Sequence, residues 1–279
     1  MVRLRSNAHT HTTFCDGKNT PEEMVQAALQ KGFVALGFTM HSDSPFDPHY
    51  TITPQTVKGY LAEIRRLKEV YRDRITLYLG VEKDFYSHID RQEYDYIIGS
   101  NHYMLDSATG VYHVIDWMPP EFQACLDQTF HGDVMALVQA YYDNIVQLVQ
   151  QERPEIIGHL DLLRRCNVRG HFFDEEDPAY RRIACTAVER IAQVGGIFEV
   201  NTGGVYGGYL DTPYPSRFLL RHILEVGAPV TITSDSHCTE SLDFYFPQAA
   251  QMLREIGFTQ VQMLGRHGFE SVSLLDTGN

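Results

Sequence analysis

Short apolar runs are spaced along the chain, and longer segments with apolar residues at helical spacing separate most of them. Seven runs predict strands over residues 2–8, 33–38, 75–81, 94–98, 155–157, 197–200 and 229–233. The intervening pattern predicts helices over residues 21–30, 54–72, 132–151, 178–194 and 217–226. This alternation is typical of a parallel α/β fold, and 279 residues fit one α/β barrel domain over residues 1–279.

Local signals mark several helix ends. The sequence Thr20-Pro21-Glu22-Glu23 has the form of a capping box with proline at the first helical position, and Gly32 follows the last turn. Thr53-Pro54 begins the second helix, and Gly195-Gly196 ends the fourth. Residues 104–130 show no clear periodicity, so we predict a long loop with some helix there, of the kind that often covers a site.

The charge of the chain limits its partners. The formal net charge is −13 and no basic run is present, which argues against long nucleic acid or an anionic membrane surface as a partner. A small anionic substrate is compatible with this charge, because bound divalent cations reverse the local sign.

Cysteine usage and hydropathy indicate the compartment. The five cysteines are widely spaced and form no C-x-x-C pair, so we expect no disulfide framework and a reducing environment. No apolar run reaches the ~18 residues of a membrane span, and residues 1–7 carry no signal-peptide core. We therefore expect a soluble cytoplasmic protein, and nothing in the sequence indicates an oligomeric state.

Residues that suit metal binding follow the predicted strands. In strand order they are His9 and His11, His41, Glu82, His102, His159, Asn201, and Asp235 with His237. All strand carboxyl ends of a parallel barrel open onto one face, so these residues would meet there. A single histidine near a strand end is usually an ordinary hydrogen-bonded residue, but repetition at six strand ends favours a metal site. Imidazole and carboxylate together suit zinc, manganese or iron.

The spacing within the pairs supports this interpretation. Side chains two residues apart on a strand point the same way, as His9 and His11, or Asp235 and His237, would. Asp16 follows in a short Cys-Asp-Gly turn from which it could reach back as a further ligand. Cysteines 15 and 238 flank candidate ligands, but we expect them to face away from the site.

These motifs resemble those of the polymerase and histidinol phosphatase (PHP) superfamily. The first is His9-Thr10-His11 followed by Phe14-Cys15-Asp16-Gly17. The others are Gly37-Phe38-Thr39-Met40-His41, Gly80-Val81-Glu82, Ile98-Gly99-Ser100-Asn101-His102, Gly158-His159-Leu160-Asp161, Glu199-Val200-Asn201-Thr202 and Thr233-Ser234-Asp235-Ser236-His237. The set is most similar to the histidinol-phosphate phosphatase branch. The resemblance implies a distorted (β/α)7 TIM-like barrel with three divalent metal ions, of zinc, manganese or iron, at the carboxyl face of its strands.

The resemblance also implies roles by matched position. The first metal would take His9, His11, Glu82 and Asp235; the second would share Glu82 and add His102 and His159; the third would take Asp16, His41 and His237. Glu82 and Asp235 would take part in catalysis by holding metal ions at the reacting centre. Apart from the resemblance, the reaction needs a proton donor for the leaving alkoxide, and Asp161, close after His159, is the candidate. The ligand histidines need acceptors that fix their tautomers, and Asp84 and Asn101 are the candidates.

One segment departs from the family pattern. Members of this branch often carry a basic residue just after the Asn-Thr motif, whereas residues 203–208 here are Gly-Gly-Val-Tyr-Gly-Gly. We expect a flexible loop there, because the stretch lacks the order of a Walker or dinucleotide motif. The nearest basic candidates for binding the phosphate of a small phosphorylated substrate are Arg164, Arg165 and Arg217.

The activity that the resemblance implies is hydrolysis of L-histidinol phosphate to L-histidinol and phosphate, a step of histidine biosynthesis. A PHP enzyme acting on another small phosphate ester or a nucleotide is an alternative. Metal-dependent amidohydrolases and deaminases commonly bridge their metals with lysine, where this chain has Glu82. A non-catalytic metal-binding module would lack some ligands, whereas all nine matched positions are filled here.

Overall fold

The computed structural model describes residues 4–275, which form eleven strands and nine helices. The strands are β1 (Ser6–Asn7), β2 (Ala35–His41), β3 (Thr76–Asp84), β4 (Tyr96–Ser100), β5 (Tyr103–Asp106), β6 (Val111–Val114), β7 (Ile156–Ile157), β8 (Ile197–Asn201), β9 (Val230–Thr233), β10 (Gln260–Leu264) and β11 (Phe269–Ser273). The helices are α1 (Pro21–Gln30), α2 (Pro54–Tyr71), α3 (Pro119–Gln128), α4 (Val134–Glu152), α5 (Arg164–Gly170), α6 (Pro178–Val194), α7 (Gly203–Tyr206), α8 (Arg217–Glu225) and α9 (Phe246–Ile256).

Seven parallel strands form a distorted (β/α)7 barrel in the order β1-β2-β3-β4-β7-β8-β9, which confirms the predicted fold. The first and last strands meet only beyond their regular pairing, through a parallel bridge between Thr10 and Ser236. The His11 N–H donates to the Ser236 carbonyl (2.8 Å), and the Ser236 N–H donates to the His9 carbonyl (3.1 Å). The barrel is therefore closed at its carboxyl rim, between the predicted metal ligands.

The helix signals in the sequence are confirmed. The Thr20 hydroxyl accepts from the Glu23 N–H and the Glu23 carboxylate accepts from the Thr20 N–H, as a capping box requires. Thr53 and Thr56 make the same exchange at the start of α2. Helix α6 has the predicted bounds. Among residues 4–275, no helix is long and apolar enough to cross a bilayer.

Residues 104–130 contain the predicted helix, α3, but the remainder is more ordered than the predicted long loop, so that part of the prediction is wrong. Strands β5 and β6 form an antiparallel hairpin, and α3 begins at a proline pair. Asp106 orders the turn by accepting hydrogen bonds from the Ala108 N–H (2.9 Å) and the Thr109 hydroxyl (2.7 Å). The half-exposed β6 carries no apolar run, which is why the sequence pattern does not show the hairpin.

Further differences lie at the first strand and in elements that the sequence pattern does not show. The predicted first strand starts at residue 2, but residues 2 and 3 are outside the described residues, and β1 is confined to Ser6–Asn7. The sequence pattern does not predict α5, α9 or the antiparallel hairpin β10–β11. Strand β10 lies against β9, β1 and β2, so this hairpin covers the seam where the barrel closes.

A tyrosine fills the barrel interior. The buried Tyr96 hydroxyl donates to the Ala8 carbonyl (2.5 Å). A Cβ at Gly37 would lie 2.0 Å from the Tyr96 hydroxyl oxygen, and one at Gly80 would lie 2.7 Å from its ring. Leu264 of β10 packs into the same cluster. The two glycines of the sequence motifs therefore make room for this ring between β2 and β3.

We expect Gly37→Ala to destabilise the protein, because the added methyl group overlaps the Tyr96 hydroxyl. The expected loss in the free energy of unfolding is about 1–3 kcal/mol, measured by urea titration. Gly59→Ala, on the exposed face of α2, is the matched control and should change the stability by less than about 1 kcal/mol. Equal stabilities of the two variants would contradict this account of the barrel interior.

Candidate metal centre

The nine predicted ligands meet at the carboxyl face of the barrel. Eight of them form three overlapping groups in which the ligand atoms lie within 4.8 Å of one another. The groups are His9, His11 and Asp235; His41, Glu82 and His102; and His11, Asp16, His41 and His237. The ninth, His159, places its Nε2 2.9 Å from Glu82 Oε1. Residues from position 9 to position 237 are thus brought into one cluster.

Glu82 lies at the centre of this cluster, on β3, and is buried. Its Oε1 faces Nε2 of His159 (2.9 Å) and of His102 (3.3 Å). Its Oε2 faces Nδ1 of His41 (3.0 Å) and Nε2 of His9 (3.2 Å) and His11 (3.4 Å). Burial opposes ionisation, but the surrounding histidines outweigh it and hold the pKa of Glu82 well below its usual value. The two oxygens of one carboxylate therefore face different sets of imidazoles.

Asp235 closes the same cluster from β9. Its Oδ1 lies 3.1 Å from His11 Nε2 and 3.3 Å from His9 Nε2. Its backbone has φ 48°, in the left-handed region that side-chain-bearing residues rarely adopt. A Cβ at the neighbouring Gly203 would lie 3.0 Å from the Asp235 Cβ. The chain thus holds Asp235 in an unfavourable backbone conformation that aims its carboxylate at the two histidines.

Asp16 approaches the cluster from the turn after β1. Its Oδ2 lies 3.1 Å from His237 Nε2 and 3.8 Å from His41 Nε2, and its Oδ1 lies 3.6 Å from His11 Nδ1. Burial favours the neutral imidazole of His237, but the Asp16 and Asp235 carboxylates raise its pKa to about 9. The structure groups His11 and His41 with Asp16 as well as with Glu82 or Asp235, so the ligand sets overlap more than the resemblance implies.

The cluster fits divalent metal ions. Asp16 Oδ1, Glu82 Oε2 and Asp235 Oδ1 are buried and have no hydrogen-bond partner. His9 Nε2 and His11 Nε2 face each other at 3.1 Å, although two imidazole nitrogens gain little from direct contact. Buried carboxylate oxygens without donors are unfavourable, and bound cations relieve this cost. Imidazole and carboxylate donors are the kinds of ligand that zinc, manganese and iron accept.

Two acidic side chains orient the ligand histidines. The Asp84 carboxylate lies 3.3 Å from His102 Nδ1 and accepts from the His102 N–H (2.8 Å), as predicted. Asn101 instead places its amide 3.8 Å from Met104 Sδ, so its predicted role is wrong. Glu199, for which the sequence motifs predict no role, lies 2.6 Å from His9 Nδ1. The available signal was a glutamate within the otherwise apolar strand 197–200.

Asp161 is not among the ligands, although it follows His159 closely. It is fully buried and accepts from the Ser216 N–H (2.7 Å). Burial raises the pKa of this carboxyl group. Arg164 lies 3.7 Å from Asp161 and bonds Glu175 (3.0 Å). These contacts hold the loop after β7 together and leave Asp161 without a contact to the metal ligands.

The other two candidate arginines differ in their surroundings. Arg217 forms an exposed ion pair with Glu255 of α9 (3.2 Å), in the outer helix layer. The Arg165 guanidinium lies 4.0 Å from the Tyr209 ring centroid and 3.8 Å from the Asp116 carboxylate, and its Nε is buried without a partner. Arg165 is therefore held between an aromatic ring and a carboxylate, and one of its N–H groups has no partner in the protein.

The glycine-rich segment is not the flexible loop predicted from its composition. Residues 203–206 form the short helix α7. A Cβ at Gly204 would lie 2.7 Å from the Tyr214 ring, and Gly203 lies against Asp235. Glycine is needed at these positions for close packing, so the prediction of a flexible loop is wrong.

Cys15 and Cys238 flank candidate ligands, and the expectation that both face away from the site is wrong for Cys15. Cys15 Sγ lies 3.4 Å from His11 Nδ1, so this thiol contacts a ligand histidine and does not face away from it. Cys238 Sγ contacts the Tyr206 hydroxyl at 3.2 Å. Neither thiol belongs to a metal-binding group of residues 4–275.

Known proteins resemble this chain over most of its length. The sequence model of the PHP domain family matches residues 7–203. A Deinococcus radiodurans protein named "Probable histidinol-phosphatase" is 30% identical over 262 residues, which cover 90% of this chain and 93% of the relative. A Bacillus subtilis histidinol-phosphatase is 24% identical over 257 residues, which cover 84% of this chain and 93% of the relative.

A solved structure shares the fold. The histidinol phosphate phosphatase of Lactococcus lactis, in complex with zinc, L-histidinol and phosphate, superimposes with a TM-score of 0.68 at 20% identity. The superposition covers 95% of this chain and 98% of that chain. The family match and the Deinococcus relative extend over most of the sequence, and the chain therefore belongs to the PHP domain family.

Proposed function

We propose that the protein is a metal-dependent phosphomonoesterase that hydrolyses L-histidinol phosphate to L-histidinol and inorganic phosphate. The observation that carries the proposal is the buried Glu82 carboxylate, with each oxygen facing a different set of histidines. The relatives from Deinococcus and Bacillus that match over most of the chain are named histidinol-phosphatases. The Lactococcus structure contains zinc, L-histidinol and phosphate.

The centre would hold three divalent ions, of zinc, manganese or iron, with Glu82 shared between two of them. The three groups of ligand atoms support this number, since each offers three or four donors. Divalent ions at such a centre acidify water to a pKa of ~7 and neutralise charge on phosphoryl oxygens. That chemistry addresses the main barrier to phosphate monoester hydrolysis, in which the dianion repels a nucleophile.

The protein's own residues supply geometry and charge. Glu82 stays ionised because the surrounding histidines hold its pKa low, so both oxygens remain available as donors. Asp235 is held rigidly by its backbone and by the Asn201 amide, which donates to its Oδ2 (3.2 Å). The burial of His9, His11 and Glu82 limits water at the floor of the site. Bulk solvent therefore screens the charges at the reacting centre only weakly.

Arg165 is the residue that we propose for binding the substrate phosphate. Stacking on Tyr209 and the ion pair with Asp116 fix its position, and its partly exposed guanidinium offers N–H donors to an anion. Arg217 pairs with Glu255 in the outer helix layer. Arg164, whose Nη1 also has no hydrogen-bond partner, bonds Glu175 and faces Asp161 (3.7 Å). Arg165 would thus provide the cation that family members often carry after the Asn-Thr motif.

The loops around the site are acidic and aromatic, which suits the cationic alcohol part of histidinol phosphate. Trp117 is half exposed and lies 5.9 Å from the Arg165 guanidinium and 5.5 Å from the Tyr50 ring. Asp47 accepts from the Tyr103 hydroxyl (2.9 Å), so this carboxylate already has a partner within the loops. An ammonium group near the mouth would be attracted by the net charge of −13.

The substrate is tested by comparing catalytic efficiencies. We expect kcat/KM on L-histidinol phosphate to exceed that on p-nitrophenyl phosphate and on 5′-AMP by about 10²-fold or more, because only the first combines a phosphate with a cationic ammonium group that the negative charge of the protein attracts. The measurement is phosphate release by the zinc-, manganese- or iron-loaded enzyme. Equal efficiencies would contradict the substrate assignment and leave the phosphomonoesterase chemistry standing.

The phosphate-binding arginine is tested by Arg165→Met, which keeps the length of the side chain and removes its charge. We expect kcat/KM to fall about 10–100-fold and inhibition by inorganic phosphate to weaken in parallel, because one charge-assisted contact is lost. Arg217→Met is the comparison, since Arg217 pairs with Glu255. A larger effect from Arg217→Met than from Arg165→Met would reverse the assignment.

The central carboxylate is tested by Glu82→Gln, which keeps the size and removes the charge and one good donor. We expect kcat to fall by about 10³-fold or more, because two ions would lose their shared ligand. Circular dichroism and the urea midpoint show whether the fold is retained. Near-normal turnover by a folded Glu82→Gln variant would exclude the bridging role.

A further inference from the structure

Glu199 is a buried carboxylate beneath the ligand cluster, on β8, with 1% of its surface exposed. Its two oxygens accept four hydrogen bonds. The donors are His9 Nδ1 (2.6 Å) and the Thr233 hydroxyl (2.6 Å) to Oε1, and the His159 N–H (2.6 Å) and the Asn201 amide (3.1 Å) to Oε2. Each oxygen therefore accepts from two donors, so no lone pair of the carboxylate is left to bind a metal ion or a substrate.

The four donors come from four different parts of the barrel rim. His9 follows β1, His159 follows β7, Thr233 ends β9, and Asn201 ends β8 itself. Strand β1 pairs with β2, and it is linked to the segment after β9 by the Thr10–Ser236 bridge and by the Asn7 side chain, which bonds Ser234 (2.7 Å). The Glu199 side chain adds a direct connection between His9 and His159 along this side of the barrel.

The contact with His9 determines which ring nitrogen carries the proton. Because Oε1 of the ionised Glu199 accepts at Nδ1, the hydrogen of the neutral ring lies on Nδ1. The Nε2 lone pair then faces Glu82 Oε2 (3.2 Å) and Asp235 Oδ1 (3.3 Å), where a metal ligand is required. A carboxylate at this position also makes the imidazole a stronger donor.

The contact with Asn201 extends the effect to a second ligand. The Asn201 amide group donates one hydrogen to Glu199 Oε2 (3.1 Å) and the other to Asp235 Oδ2 (3.2 Å). Its Oδ1 accepts from the Gly203 N–H (2.8 Å), which fixes the orientation of the amide. Glu199 therefore acts on Asp235 through Asn201, as well as on His9 and His159 directly.

We infer that Glu199 is the positioning residue of the metal centre: it sets the tautomer of His9 and holds the ligands from β1, β7 and β9 in register. It contacts neither substrate nor metal. The inference rests on the metal centre of the proposed function and is independent of which phosphate ester is hydrolysed.

The test is the zinc affinity of Glu199→Gln, measured on metal-free protein by competition with a chromophoric chelator. The amide has one acceptor oxygen in place of two, and its N–H₂ group would face donors that now have no partner. If His9 accepts from the amide at Nδ1, its proton moves to Nε2 and blocks the metal-binding nitrogen. We expect zinc binding to weaken about 10–100-fold, with a changed visible spectrum of the cobalt-loaded protein.

Thr202→Val is the matched control. It removes a buried hydroxyl that donates to the Phe244 carbonyl (2.9 Å) and leaves the hydrogen bonds to Glu199 in place. We expect its zinc affinity to stay within about threefold of the unmodified protein and its cobalt spectrum to be unchanged. Glu199→Asp keeps the charge on a shorter side chain and should give an intermediate affinity; it replaces Glu199→Gln in the comparison if the latter does not fold.

A failure of the positioning role of Glu199 and a failure of the proposed function would give different results. Zinc affinity and cobalt spectrum of Glu199→Gln equal to those of Thr202→Val would overturn the positioning role, because packing alone would then explain the carboxylate. An unmodified protein that binds no zinc, manganese or iron would overturn the metal centre and the inference with it. An unmodified protein that binds zinc but prefers another ester would overturn only the substrate, and the role of Glu199 would still be decided by its own variant.

Discussion

One constraint governs the rest of the structure: the negative charge of the carboxylates buried at the carboxyl rim of the barrel has to be balanced. Glu82 is buried, its pKa is held low, and its two oxygens are surrounded by imidazole nitrogens at 2.9–3.4 Å. Ionised carboxyl groups in such surroundings are costly unless cations balance them. The cluster of histidines and carboxylates is therefore best understood as a metal centre, in which bound ions supply the charge that the protein's hydrogen bonds do not.

The architecture of the barrel serves this centre. Closure takes place between His9, His11 and Ser236, so the backbone hydrogen bonds that join the first strand to the last also space the ligands. Below the rim, Tyr96 fills the interior and the hairpin β10–β11 covers the seam. Glu199 lies on β8 beneath the ligand cluster, and its hydrogen bonds connect His9 and His159 of the rim to this strand. Stability and function consequently share several of the same contacts.

Much of the fold and most of the site are predictable from the sequence, for two physical reasons. Buried parallel strands give apolar runs, and ligands that follow such strands must meet at one face, as Glu82 and His159 do. Contacts across the fold are harder to predict. Arg217 seemed available for phosphate because its partner Glu255 lies on α9, which the sequence pattern does not show. The role of Glu199 depends on donors from positions 9, 159 and 233, and nothing local to β8 indicates them.

The most direct test of this account is X-ray diffraction from crystals of the zinc-loaded protein at wavelengths on both sides of the zinc absorption edge. The account predicts three anomalous peaks at about 2.0–2.3 Å from the ligand atoms. Two of them should share Glu82, and the third should lie beside Asp16 and His237. A single peak, or peaks that leave Glu82 bound to one ion or none, would contradict the central role of this carboxylate.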